Sequence, residues 1–277
     1  MTLCASEADF GALEREIESA VNSGGPGAEI DLIDSAAERF PGDPAWRILL
    51  GELYFEADFF SKALAEFERA NALNETNSYA RAMAGACRLS LNDIDGAEAR
   101  LEAALSLDRR NPDAQYWRGV LLDIQGQTHA ASTCYRLAAR EAPEEYFVPH
   151  RVSNHEFLVL VEDAMEALEE RYPGFRAALS ERNVEVSVQE MPTPSQVTQE
   201  GLAPTLLGVF HGHTALDRSL EDPWSALPGY IILFQRNIER ECRDEDELYE
   251  QIYITLLHEA AHAHGRGEEW MEERGLQ

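Results

Sequence analysis

The sequence predicts a mainly α protein: an array of α-hairpins followed by a small α+β domain. Three observations carry that expectation. Small and large residues recur at an interval of 34 through the first half, the interval stops at Pro143, and the second half mixes helical spacing with period-two alternation.

The interval shows in four registers. Gly51, Gly85 and Gly119 form one, Ala63, Ala97 and Ala131 another, Phe67, Leu101 and Tyr135 a third, and Ala70, Ala104 and Ala138 the fourth. Small residues let the two helices of a hairpin cross closely, while a large apolar residue fills the gap to the next hairpin. Leu50, Gly51, Tyr54, Ala63, Phe67 and Ala70 together resemble the signature of the tetratricopeptide repeat. That resemblance implies a concave groove suited to a protein or peptide partner. The second unit departs from the signature, with Ala84 for the Leu and Arg88 for the aromatic. Ahead of the first full unit, Phe10 to Asp43 reads as a degenerate hairpin turning at Gly24 to Gly27, since terminal repeats are often atypical.

From Glu144 to Ser153 the chain contains Pro149 and no helical spacing, so we expect a repeat domain over residues 1–148 and a second domain over residues 149–277. Phe157, Leu158, Val161, Ala164, Met165 and Leu168 predict an amphipathic helix running to about Arg171, with a short helix beyond Pro173. Val184, Val186 and Val188 alternate with polar residues, which predicts a half-buried strand. Leu206 to His211 reads as a second strand, and the apolar run Tyr230 to Phe234 as one buried on both faces. Gly212 to Gly229 reads as a long loop. Asp244 and Glu247 have the spacing of a capping box, opening a helix that carries Leu248, Ile252, Leu256 and Ala260 and should stop at Gly265.

With 51 acidic against 23 basic side chains in 277 residues, the formal charge is −28. Such a surface repels a phosphate backbone, which argues against a nucleic-acid partner. No stretch has the length and apolarity of a bilayer span, and Met1 to Phe10 lacks the basic and apolar regions of a signal peptide. We therefore expect a cytoplasmic protein with no membrane partner. Cys4, Cys87, Cys134 and Cys242 are scattered without paired spacing, which predicts reduced, structural thiols.

The chemistry is concentrated in His258, Glu259 and His262. Four residues apart on a helix, the two histidines lie about 40° apart around its axis, so both imidazoles can reach one ion. Glu259 sits about 100° round from His258, beside such an ion and positioned to take a proton from its water. Two imidazoles and one carboxylate suit zinc (Zn2+) with a fourth position open, where a water acquires a pKa of about 7 and a carbonyl is polarised. Glu268 is the first candidate for the carboxylate, because Gly265 lets the backbone turn beneath the ion; Glu269, Glu272, Glu273 and a histidine (His264, His211 or His213) stay open.

The run YIILFQRNIERECRDEDELYEQIYITLLHEAAHAHG, from Tyr230 to Gly265, resembles the small bacterial metallopeptidases of the minimal zincin type. The resemblance implies His258 and His262 as zinc ligands, Glu259 as general base and Glu268 at the third-ligand position, where the family carries Asp. It further implies a peptide substrate lying along an edge strand above the active helix, with Gly208, Val209 and Phe210 offering backbone groups. The sequence thus points to a zinc metallopeptidase that hydrolyses peptide bonds through a metal-activated water. Little chain follows Glu268, so the repeat array is expected to recruit a protein or to supply the missing wall of the cleft. The alternative is a repeat-based interaction protein whose zincin-like module is structural or inactive.

Overall fold

The computed structural model describes residues 25–181, 183–212 and 229–263. The chain divides into two compact units, the first ending at Tyr146 and the second beginning at Phe147.

The first unit is a tetratricopeptide-type array of helices. It runs α1 (Gly25–Arg39), α2 (Pro44–Glu56), α3 (Phe60–Leu73), α4 (Ser78–Ser90), α5 (Ile94–Leu107), α6 (Pro112–Ile124) and α7 (Thr128–Glu141). Each hairpin opens on a residue that stops the preceding turn and caps the next helix. Asp43 accepts from Ala45 N at 2.9 Å, Asn77 from Ala80 N at 2.9 Å and Asn111 from Ala114 N at 2.8 Å. Such caps satisfy N–H groups that have no partner inside a helix, at about 1 kcal/mol each. Asp58, Asn92 and Gly126 take positive φ values of 59°, 61° and 74°. They close the first helix of each hairpin with a six-to-one bond, as from Phe59 N to Tyr54 O at 2.8 Å.

The glycine register has a steric cause. A Cβ on Gly51 would stand 2.9 Å from the Phe67 ring, one on Gly85 2.9 Å from Leu101, and one on Gly119 2.7 Å from the Tyr135 ring. Glycine and its large neighbour sixteen residues later are therefore one packing device, used three times. The alanines of the two remaining registers are fully buried. Where the second hairpin departs from the signature, Arg88 replaces the aromatic contact with ion pairs to Asp93 and to Glu68, and Glu68 also pairs with Arg100 at 2.8 Å. The expected turn at Gly24 to Gly27 is corrected from Gly25 onward, where the chain is already the first turn of α1; the residues before it lie outside the described ones.

The second unit is α+β. It runs α8 (Asn154–Arg171), α9 (Phe175–Glu181), β1 (Val184–Gln189), α10 (Pro194–Gln199), β2 (Gly208–His211), β3 (Gly229–Phe234), α11 (Gln235–Arg240) and α12 (Glu245–Ala263). Ser153 and Glu156 form a full capping box on α8. The sheet order is β1-β3-β2, with β1 parallel and β2 antiparallel to β3. The central strand buries Ile231, Leu233 and Phe234 completely but leaves Tyr230 exposed, so the expectation of burial on both faces holds for its C-terminal part only. One core gathers Phe157, Val161, Ala164 and Leu168 of α8, Leu179 of α9, and Leu248, Ile252, Leu256 and Ala260 of α12. The second strand is shorter than expected, because Leu206 and Leu207 belong to the turn leading into it. Among the described residues no helix is long and apolar enough to cross a membrane.

Candidate metal centre and the strand beside it

Helix α12 is set by its cap and its apolar stripe. Asp244 accepts from Glu247 N at 2.9 Å, and the Glu247 carboxylate reaches back to Arg243 N at 2.7 Å, one residue ahead of the cap. With Leu248, Ile252 and Leu256 drawn into the core, His258 falls about 200° round from Leu256, away from that stripe.

The structure brings His258 and His262 together. Their Nε2 atoms are 3.1 Å apart, with ring centroids 4.8 Å apart and planes at 71°. Two nitrogens held by one tetrahedral zinc at about 2.0–2.1 Å stand about 3.3 Å from each other, so the donor pair fits a shared ion. Among the described residues no group of three His, Cys, Asp or Glu side chains converges. Glu268, Glu269, Glu272, Glu273, His264 and His213 lie outside the described residues.

Glu259 is buried and turned toward β2. Phe210 N–H donates to its Oε2 at 2.6 Å. The strand lies this close because residue 208 has no side chain: a Cβ on Gly208 would meet Thr255 Cγ2 at 2.7 Å and Glu259 Cγ at 3.3 Å. Phe234 N donates to Leu207 O at 2.8 Å, and antiparallel alternation then turns the backbone groups of Val209 and His211 toward β3. Those of Gly208 and Phe210 face the other side. Of the three residues expected to receive a peptide, Val209 thus spends its backbone inside the sheet and Phe210 spends its N–H on Glu259. His211 is exposed, its Nδ1 3.9 Å from Glu200 Oε2.

Sequence reasoning missed the cluster that carries β2 and β3. Helix α11 follows β3 directly, and Gln235, Asn237 and Glu239 on it are fully buried. The Glu239 carboxylate accepts from Arg151 at 2.9 Å, Arg236 at 2.8 Å, Gln235 at 2.7 Å and Val152 N at 3.2 Å. Asn237 Nδ2 donates to Pro204 O at 3.0 Å and Leu206 O at 2.7 Å. Nearby, burial pushes the Cys242 thiol up to about 12, with the carboxylates of Glu241 and Glu247 adding to the shift. Its Sγ donates to Ile238 O at 3.2 Å.

With both histidines, the glutamate and the neighbouring strand in place, the segment can be set beside known proteins. Residues 181–276 match the model of the zincin-like metallopeptidase family. Among the described residues, the matched segment takes in β1, β2, β3, α10, α11 and α12. Solved structures resemble the repeat half. MamA 41-end from Desulfovibrio magneticus RS-1 is 19% identical, with a TM-score of 0.41, over 48% of this chain and 76% of its own. YrrB, titled a TPR protein with an unusual peptide-binding site, is 22% identical, with a TM-score of 0.40, over 48% and 69%. The first TPR of Spaghetti (RPAP3), bound to the HSP90 peptide SRMEEVD, is 20% identical, with a TM-score of 0.37, over 48% and 97%. No curated protein matches the chain.

Proposed function

We propose that the second unit is a zinc-dependent peptidase and that the repeat array serves it by binding a protein partner or substrate. The observation that carries the reading is the pair of imidazole Nε2 atoms 3.1 Å apart, with the Glu259 carboxylate on the same helix held against the strand beside it. His258 and His262 would hold the ion, with Glu268 as the proposed third ligand. When bound, zinc supplies a Lewis acid that polarises a carbonyl and lowers the pKa of a water to about 7.

The chain's own residues do the rest. Phe210 N–H fixes the orientation of the Glu259 carboxylate, the group that would take a proton and pass it to the leaving amine. The Gly208 backbone and the Phe210 carbonyl lie on the side of β2 away from β3, where an extended substrate could pair with them. The array supports recruitment because stacked α-hairpins expose an extended concave surface.

The test is zinc analysis of the purified chain together with a peptide-library digest, native protein against Glu259→Gln. We expect stoichiometric zinc in both and a loss of kcat of about 10²–10⁴-fold in the variant. Absence of zinc, or proteolysis equal in the two proteins, refutes the reading.

A further inference from the structure

Three consecutive carbonyls ahead of β2 are captured from one side. Asn237 Nδ2 donates to Pro204 O at 3.0 Å and to Leu206 O at 2.7 Å, using both of its N–H groups, and Arg240 Nη2 reaches Thr205 O at 3.4 Å. Arg240 Nη1 donates in turn to Asn237 Oδ1 at 3.0 Å, which fixes the orientation of the amide. The next carbonyl, of Leu207, accepts from Phe234 N at 2.8 Å, so the capture runs straight into the β2–β3 ladder.

Both side chains are buried on α11, a helix that starts where β3 ends. Asn237 is fully buried, and breaking its bond to Pro204 O would leave a buried carbonyl unsatisfied at a cost of about 1–3 kcal/mol. Bonds to three successive carbonyls restrain this turn against sliding along or lifting from the central strand. Two residues beyond Leu206 comes Gly208, pressed against Thr255 and Glu259, and two beyond that comes the N–H that grips the carboxylate.

We infer that Asn237, locked by Arg240, is a positioning residue for the Glu259 carboxylate. It sets the height of β2 over α12, and thereby the point at which Phe210 N–H meets Glu259 Oε2, without touching substrate or ion itself. The catalytic consequence rests on the peptidase reading; the geometric one does not. The two histidines belong to α12 alone, so loss of the clamp should loosen the base and spare the ion.

The experiment compares the full chain with Asn237→Ala and Asn237→Ser by hydrogen exchange at the Phe210 amide, zinc affinity and peptidase kinetics. We expect faster exchange at Phe210, zinc affinity unchanged, and kcat lower by about a hundredfold in Asn237→Ala, the scale of an ångström-sized misplacement. Asn237→Ser keeps one donor and should fall between the two, and it stands in if the alanine variant does not fold. Phe210 exchange equal to that of the native chain overturns the inference, whatever the activity. So does zinc affinity lost in parallel, which would mark general collapse. A native chain inactive on every peptide would instead refute the proposed function, while the amide exchange still decides the clamp.

Discussion

The two units reach stability by opposite means. In the array each device is local and repeated: a cap, a left-handed turn residue and a glycine facing a large apolar side chain recur 34 residues apart. In the second unit the devices occur once and span long distances, as when Glu239 holds Arg151, 88 residues earlier in the chain. Damage to the array should therefore stay near the altered hairpin. Damage to α11 should spread through the strands that depend on it.

The strongest way to break that contrast is Glu239→Ala. It leaves the half-buried guanidinium groups of Arg151 and Arg236 without their fully buried shared carboxylate, and we expect a loss of about 3 kcal/mol. Hydrogen exchange should show protection falling together at residues 150–154, 203–211 and 229–240, with the array unchanged. Equal loss in the array would abolish the distinction.

Gly119→Ala tests the other side. The added methyl meets the Tyr135 ring at 2.7 Å, and overpacking of this kind costs about 1–3 kcal/mol. Exchange should rise in α6 and α7 and leave α2 and α3 near their native values, a gradient expected of stacked repeats.

A weaker effect should be shared by both units. Burial pushes the thiols of Cys87 in the array and Cys242 in the zincin-like unit up to about 12. Unfolded thiols ionise near about 8.5, so the folded chain binds more protons between these values. Stability from these groups is complete below about pH 8.5 and declines as pH rises toward about 12. Iodoacetamide at about pH 8 should spare both cysteines in the native chain and label both in denaturant. Native labelling of one alone would show that its unit opens more readily.

The difference in construction also explains what could be read from the sequence. Repetition made the array legible: a glycine alone says little, but Gly51, Gly85 and Gly119 in step with Phe67, Leu101 and Tyr135 specify a crossing and its filler. The caps at Asp43, Asn77 and Asn111 keep the same step. In the second unit, alternation and apolar spacing disclosed β1, β3, α8 and α12, because a buried face leaves a periodic trace. Helix α11 left none. Gln-Arg-Asn-Ile-Glu-Arg reads as surface by composition, and only the fold shows that Asn237 and Glu239 are buried by their partners. The spacing of His258 and His262 disclosed their convergence, since four residues on a helix fix a direction. The contact between Glu259 and Phe210 could not be read, because nothing local joins residues 49 apart.

The recurrence of cap and turn chemistry bears on how such a chain changes length over evolutionary time. Asn77 and Asn111 occupy equivalent junctions, so excising residues 78–111 would leave Asn77 directly ahead of Pro112, a capping residue before a helix-starting proline. Whole hairpins can thus be gained or lost by recombination at these joints without inventing a new core. The second unit is built otherwise: a cut between Arg151 and Glu239 parts that carboxylate from one of the two arginines that pair with it.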